Sequence, residues 1–436
     1  MVYRRPTAGA PRGVRAAAGM TVAVLVLVTA CSSGGGGGGG TGPGAKVAGK
    51  QEVAAPVVTI TPADGTGKAL PEKGIQVTAA NGTLDTVSVQ LKGKDVPGQF
   101  SADKASWKSD WTLTPNAAYR VSATAKNAQK TTTATSGFHT LKPTYTIGIT
   151  SVFPTAGQKV GVGMPVTVQF DTSIPNKSKK AVEQALQVTS EQPNEGAWYW
   201  TSDTEAIFRT KQYWDPNQKI ALTAHLAGVK VGRATYGIAD QTVKFKVGDS
   251  HISTVNTRTH RMVVKINGRK VKDVGISAGR GGVRKYTTTS GIHLTMEAVS
   301  PVTMTSPGLK KGDPGYYTET VYDAVRISNS GEYVHSAPWS VGAQGSYNVS
   351  HGCVNASPAF ATWFYNTEQW GDVVVVTGTD RPLEWNNGYG FWQMSWKDWV
   401  KGSAANASVS TGPAAADSSA GPSATASVTP TGTATP

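Results

Sequence analysis

TPNAAYRVSATA, Thr114–Ala125, returns as DPNQKIALTAHL, Asp215–Leu226, after about a hundred residues. Pro115 falls over Pro216, Asn116 over Asn217, Tyr119 over Ile220, Val121 over Leu222 and Ala123 over Ala224. Both copies alternate apolar and polar side chains, the period of a strand with one face buried, and both carry a Pro-Asn pair suited to a turn. A tryptophan-bearing stretch precedes each, SWKSDW at Ser106–Trp111 and AWYWTSD at Ala197–Asp203. The alternation continues in IQVTAANGTLDTVSVQL around Asn81-Gly82, in PVTVQF at Pro165–Phe170 and in VKFKV at Val243–Val247, while helical periodicity is scarce. Short strands and turns at this period predict two tandem β-sandwiches of the immunoglobulin-like kind, over residues 51–145 and 146–250, without the cysteine pair of antibody domains.

Upstream, the chain carries the marks of export. Arg4, Arg5, Arg12 and Arg15 precede the apolar run Val22–Ala30, and VTAC ends on Cys31 before a glycine tract. The run is too short to span a bilayer, so residues 1–31 read as a signal. The small residues before Cys31 resemble a bacterial lipobox, which would make Cys31 the lipidated first residue of the mature chain. Residues 32–50 read as a flexible glycine tether, and residues 402–436, rich in Ala, Ser, Thr, Pro and Gly, as a disordered tail. Of the formal charge of +14, the four leader arginines account for +4, which leaves +10. Positive charge on an exported protein suits anionic wall polymers, and without a nucleic-acid motif no nucleic-acid partner is expected.

From His251 the texture changes. HRMVVKING and RKVKDVGISAG predict a hairpin around Asn267-Gly268, and YTTTSGIHLTMEAV and TVYDAVRIS predict further strands. SPAFATWFYN predicts a short helix with Ser357 as N-cap and Pro358 at its first position, and DVVVVTG a strand buried on both faces. These elements predict a third, β-rich domain over 251–379. Residues 380–401, with Trp392, Trp396 and Trp399, predict a cap that packs its indoles on the sheet.

Several motif matches fail on context. GISAG, Gly275–Gly279, has the spacing of a nucleophile elbow but is followed by glycines and a basic strand instead of a helix. SADK, Ser101–Lys104, lies in a predicted sandwich loop without the partner motifs of serine-type acyl enzymes. Glu297, Glu319, Asp323 and Glu332 read as solvated strand faces, not as a glycosidase pair.

There remains VHSAPWSVGAQGSYNVSHGCVN, Val334–Asn355. The chain has 2 cysteines, and if Cys31 carries lipid, Cys353 has no partner in a compartment where thiols usually pair. It is either a small buried hydrophobe or a thiol kept for chemistry. At its ordinary pKa of about 8.5 a thiol is only slightly ionised near neutrality, so a nucleophile needs a base or a positive field. His335 and His351 are the neighbours, and Gly352 lets backbone N–H groups turn toward a developing oxyanion. A zinc site from His335, His351 and Cys353 lacks the usual ligand spacing, so neither a metal nor a cofactor is expected.

The stretch resembles the catalytic signature of the L,D-transpeptidases of YkuD type, a histidine followed at a distance by S/T-H-G-C-x-N. The whole chain resembles their actinobacterial lipoprotein members. The resemblance implies a mainly β fold, two immunoglobulin-like sandwiches followed by a catalytic domain with a short helix and a C-terminal Trp-rich cap. It implies Cys353 as nucleophile, His335 as general base, Ser336 as the carbonyl that orients the imidazole, and the N–H groups of Gly352 and Cys353 as an oxyanion hole. His351 and Asn355 would shape the pocket, Met304 and Trp339 line it, and Tyr317 of a lid and the Ser330-Gly331 pair hold the stem. Leu309 stands where a second lid aromatic is expected. Lys310, Lys311, Arg280 and Arg284 are candidates for stem carboxylates.

The implied partners are peptidoglycan stem peptides, and the membrane through the lipid on Cys31, for a monomer on the outer face of the cell membrane reaching into the wall. The implied reaction releases the terminal D-Ala of a tetrapeptide stem through a thioester and forms a 3→3 cross-link. Carbapenems are expected to acylate the same thiol. The alternatives are a carboxypeptidase or cysteine hydrolase that trims stems, or a non-catalytic wall-binding scaffold.

Overall fold

The computed structural model describes residues 53–306 and 308–412. The leader, Cys31, the tether and residues 413–436 lie outside the described residues. Among the described residues no helix is long and apolar enough to cross a membrane.

The first sandwich faces the sheet Val57–Thr61, Gln76–Ala80, Ser106–Ser109, Gly98–Phe100 against the sheet Lys94–Asp95, Thr83–Leu91, Ala118–Lys126, Thr131–His139. Asn81-Gly82 does not close a hairpin: the strands on either side belong to opposite sheets, and Asn81, at φ 59°, turns the chain across the sandwich. Along Ala118–Lys126 the inward set is Tyr119, Val121, Ala123 and Ala125, which pack with Leu84 and Trp107. In the second sandwich Lys219–Ala224 buries Ile220, Leu222 and Ala224 in the same way. The repeat is thus one strand used twice. Asn116 and Asn217 stand at φ 53° and 59°, a left-handed conformation that asparagine tolerates and that the Pro-Asn pair anticipates.

The second sandwich departs from the reading in two places. Its first sheet runs Ile149–Phe153, Val166–Phe170, Glu205–Thr210, Glu195–Trp200 and ends on Val409–Ser410; its second runs Lys159–Val160, Gln241–Val247, Lys219–Ala224, Leu186–Ser190. The strand Val409–Ser410 lies inside the segment expected to be tail. Its alanine- and serine-rich surroundings carry no strand signal; it is held by tertiary partners, the Asn194 N–H donating to Thr411 Oγ1 at 2.8 Å and the Ser190 N–H to the Thr411 carbonyl at 2.8 Å. A helix, Asn176–Gln184, was also not anticipated; it buries Val182 against the sandwich core.

The third domain has two sheets. One runs Arg269–Gly275, Arg261–Ile266, His251–Asn256, Val373–Thr377, Gly291–Leu294; the other runs Ala298–Val299, Thr318–Arg326, Tyr333–Ser336, Val354–Ala356, with Val302–Thr305 also paired to Thr318–Arg326. Asn267 and Gly268, at φ 48° and 79°, make the two-residue hairpin between Ile266 and Arg269. Val373–Thr377 sits centrally, which explains its unbroken valines. Between the sheets pack Val255, Val264, Val334, Val354, Val374 and the helix Pro358–Thr367 through Phe360 and Phe364. Ser357 caps that helix, its hydroxyl accepting from the Phe360 N–H at 3.4 Å.

This domain is not separate from the second sandwich. Leu294 and Val373 belong to the same core as Val160, Val162 and Met164. Gly161 and Gly163 donate their N–H groups to the carbonyls of Trp370 and Gly371 at 2.8 and 2.9 Å. A Cβ on Gly161 would lie 2.2 Å from the Asp372 nitrogen, so only glycine fits. The indoles of the Trp-rich cap pack on the second sandwich, while its turn Gly390–Gln393 lies on the catalytic strand Gly291–Leu294, with Gln393 Nε2 donating to the Ile292 carbonyl at 2.8 Å. Trp399 donates to the Ala197 carbonyl at 2.9 Å, Trp392 to the Gly163 carbonyl at 2.9 Å, and the buried Arg209 guanidinium lies 4.6, 5.5 and 4.8 Å from the ring centroids of Trp392, Trp396 and Trp399.

Candidate active site

The strands Tyr333–Ser336 and Val354–Ala356 are parallel neighbours with Val334 beside Val354 and His335 beside Asn355. Continuing that register sets Cys353 beside Tyr333. The two valines point into the core, so by strand alternation Tyr333, His335, Cys353 and Asn355 share the opposite face. Sulfur and imidazole are therefore diagonal neighbours, although their residues stand eighteen positions apart in the chain.

His335 is 3% exposed. Its Nδ1 lies 2.9 Å from the Ser336 carbonyl. A carbonyl only accepts, so the ring proton sits on Nδ1 and Nε2 keeps its lone pair. Burial lowers the His335 pKa below the ordinary histidine range, against the raising effect of the Ser336 carbonyl and the Asn355 side chain. Asn355 is anchored by its Nδ2 donating to Ser340 Oγ at 3.1 Å.

Cys353 is half-buried among Val302, Met304, Val321, Ala324 and Tyr333. The thiol points toward the Gly331 carbonyl at 3.6 Å and Met304 Sδ at 3.9 Å, not toward the imidazole. Burial pushes its pKa up to about 12, and the carboxylates of Glu332 and Glu319 add to the rise while the Tyr333 N–H opposes it. In this arrangement thiol and imidazole are both neutral.

The sulfur opens on a cavity of about 270 Å³ whose lining includes Met304, Tyr317, Ser330, Gly331, His351 and Gly352. Its roof is the hairpin from Val302–Thr305 to Thr318–Arg326, pinned by the Tyr317 N–H donating to Ser306 Oγ at 2.7 Å and Ser306 Oγ donating to the Gly315 carbonyl at 3.0 Å. Tyr317 stacks on His351 at 4.4 Å between ring centroids. Burial lowers the His351 pKa, and Arg280 and Lys285 lower it further, so this ring is a neutral wall of the cavity.

Trp339 does not line this cavity. It is 51% exposed and lies 6.0 Å from the His335 ring, because the short turn Pro338–Ser340 carries it beyond the end of the histidine strand. Gly352 takes φ +132°, which favours glycine, yet its N–H is already donated to Ser350 Oγ at 3.1 Å. Of the two N–H groups expected to face an oxyanion, that of Gly352 is therefore already engaged within the chain.

One residue of the site was missed from the sequence, and one named residue was misjudged. Tyr286, from the turn Arg284–Tyr286, meets His351 edge-on at 5.0 Å and supplies the second aromatic that Leu309 does not. Nothing in RKYTTTS marks it as a site residue. Glu332 is buried, contrary to the solvated strand face expected: the Thr289 N–H and hydroxyl donate to its two oxygens at 2.7 Å each, and His293 lies 3.7 Å away. Burial works to raise the Glu332 pKa, but His293 and Thr289 outweigh it and hold the carboxyl below its usual range. Ser277 of GISAG is buried with its hydroxyl donating to the Tyr347 carbonyl at 2.9 Å, so it is a strut. Among the described residues, the His, Cys, Asp and Glu side chains that converge in a group of three are His251, Glu368 and Asp372, away from the thiol.

Residues 66–230 match the bacterial Ig domain family, and residues 250–376 match the L,D-transpeptidase catalytic domain family. L,D-transpeptidase 2 of Mycobacterium tuberculosis is 34% identical over 357 residues, 81% of this chain and 86% of the relative. L,D-transpeptidase 5 of the same organism is 33% identical over 367 residues, 82% of this chain and 79% of the relative. A crystal structure of L,D-transpeptidase 3 from Mycobacterium tuberculosis in complex with a faropenem-derived adduct is 31% identical and covers 53% of this chain and 98% of that one, with a TM-score of 0.45. With a thiol on the floor of a roofed cavity, a histidine of fixed tautomer on the neighbouring strand, and relatives matched over most of their length, the chain belongs to the L,D-transpeptidase family.

Proposed function

We propose that the chain forms 3→3 cross-links between peptidoglycan stems through a thioester on Cys353. The observation that carries this reading is the Ser336 carbonyl on His335 Nδ1, which leaves Nε2 free to take a proton one diagonal step from the sulfur. Rotation about the Cys353 Cα–Cβ bond swings Sγ from the Gly331 carbonyl toward that lone pair. The thiol proton passes to Nε2, the sulfur attacks the carbonyl of the third stem residue, and the Cys353 N–H faces the oxyanion. Collapse breaks the bond to the terminal D-Ala, whose nitrogen takes the proton back from His335. The side-chain amine of a second stem's third residue then adds to the thioester, the sulfur leaves as the thiol, and an amide joins the stems. Tyr317 and Tyr286 over His351 keep water from the thioester, and Ser330, Gly331 and Met304 hold the donor stem.

Next to the cavity a cleft of about 740 Å³ is lined by Arg258, Arg280, Arg284 and Arg381, with Asp380 as its acidic member. This favours an anionic substrate such as the carboxylates of wall stems. The enzyme acts outside the cytoplasm, held by a lipid on Cys31, as a monomer without a cofactor.

The test is the purified chain with tetrapeptide stem fragments, read by mass spectrometry. Cross-linked dimers with loss of D-Ala are expected, and neither dimers nor a carbapenem adduct after Cys353→Ala. Tripeptide stems without dimers would mean a hydrolase, and an inert thiol would mean a scaffold.

A further inference from the structure

The group His251, Glu368 and Asp372 lies where the second sandwich meets the catalytic domain. His251 opens the strand His251–Asn256 directly after the junction, and Asp372 precedes the parallel neighbour Val373–Thr377, whose Val373 sits beside Ile252. That register places His251 beside Asp372, and Glu368, the residue that ends the helix Pro358–Thr367, comes over both. The three side chains are 7, 1 and 2% exposed. His251 Nδ1 stands 3.3 Å from Glu368 Oε1 and 3.4 Å from Asp372 Oδ2, and one ligand atom from each residue lies within 4.8 Å of the others.

Hydrogen bonding leaves this cluster unsatisfied. His251 Nδ1 faces both carboxyl groups, Asp372 Oδ2 also accepts from the Gln369 N–H at 2.7 Å, and the buried Glu368 Oε2 has no hydrogen-bond partner. In the next residue Gln369 Oε1 is a second buried acceptor without a partner. Two buried carboxylates are costly without a counter-charge, and a divalent cation neutralises both. The two distances from His251 Nδ1 fit such an ion, since ligand atoms about 2.0–2.1 Å from a tetrahedral zinc stand about 3.3–3.4 Å from one another. An imidazole nitrogen with two carboxylate oxygens selects a transition metal over calcium, which takes six to eight oxygens.

We propose that His251, Glu368 and Asp372 bind a divalent transition-metal ion of zinc's size and geometry, which fastens the catalytic domain to the second sandwich. The turn that carries the carboxylates is the one that Gly161 and Gly163 of the sandwich grip through Trp370 and Gly371, so ordering it stiffens the junction. The ion lies apart from Cys353 and takes no part in acyl transfer.

The test uses the tag-free full chain, stripped with EDTA and titrated with ZnCl2, with elemental analysis, calorimetry and melting temperature as readouts. One zinc per chain is expected in the wild type and in Cys353→Ala, with a rise in melting temperature in both. Glu368→Gln, isosteric and uncharged, should melt no lower than wild type in EDTA, yet bind zinc at least tenfold more weakly and lose the rise. X-ray absorption on the wild-type zinc complex, showing nitrogen and oxygen neighbours without sulfur, supports the assignment even if the variant fails to fold. Substoichiometric zinc in the wild type, equal binding by Glu368→Gln, sulfur in the coordination sphere, or an equal rise with MgCl2 overturns it.

Discussion

In the proposed reaction Cys353 attacks without being ionised in advance. A thiol pushed up to about 12 beside a histidine lowered by burial is a neutral pair, unlike a preformed thiolate and imidazolium. Alkylation of Cys353 by iodoacetamide should therefore climb about tenfold per pH unit through pH 10, where a free thiol levels off above about 8.5; a plateau near pH 8 would contradict the neutral pair. Glu332 helps to hold the thiol pKa up, so Glu332→Gln, which keeps most of the hydrogen bonds but not the charge, should lower it and speed alkylation at pH 8. An unchanged or slower rate would mean that the carboxylate does not act on the sulfur. Gly352→Ala tests the backbone instead. Its Cβ has room, the nearest atom being the Lys285 carbonyl oxygen at 3.9 Å, but φ +132° strains any L side chain. A loss of about 1–3 kcal/mol in chemical denaturation is expected, together with slower acylation.

At the scale of elements, the cap and the last strand hold the second sandwich together from the far end of the chain. Trp399, fully buried under Phe391 and stacked with Tyr199, closes a small core of its own. Trp399→Ala should cost about 3–5 kcal/mol, read by chemical denaturation. Ending the chain at Gly402 removes the strand Val409–Ser410 and the Thr411 contacts to Ser190 and Asn194, and should lower the melting temperature; an unchanged value would show that the returning strand contributes nothing.

For the molecule as a whole, the two sandwiches differ in how they join the enzyme. The first has its own core and meets the second at a seam that includes the Thr112 hydroxyl on the Ala227 carbonyl, Glu72 with Lys230, Trp111 stacked on His225 at 3.7 Å, and Gly228 against the Leu113 backbone. The second shares its core with the catalytic domain through Leu294 and Val373. Removing residues 53–143, with the leader and tether kept, should leave acylation of soluble stems intact and reduce cross-linking in cells, where reach matters. Removing both sandwiches should expose that core and yield an insoluble or inactive domain. A catalytic domain that is folded and active alone would contradict the shared core.

Strand alternation, the Pro-Asn repeat and the S-H-G-C-x-N spacing were legible because each is written in neighbouring residues and answers to backbone sterics or local chemistry. The glycine at 352, the helix cap at Ser357 and the hairpin at Asn267-Gly268 belong to the same class. What the tertiary structure alone decided depends on partners brought from far along the chain. Glu332 is buried because Thr289 and His293 arrive to receive it, Tyr286 joins the lid from another turn, Trp339 is carried past the cavity, and a polar segment near residue 410 becomes a strand because the edge at Glu195–Trp200 is open to it. Burial and hydrogen-bond satisfaction are properties of the assembled neighbourhood, and no local spacing encodes them.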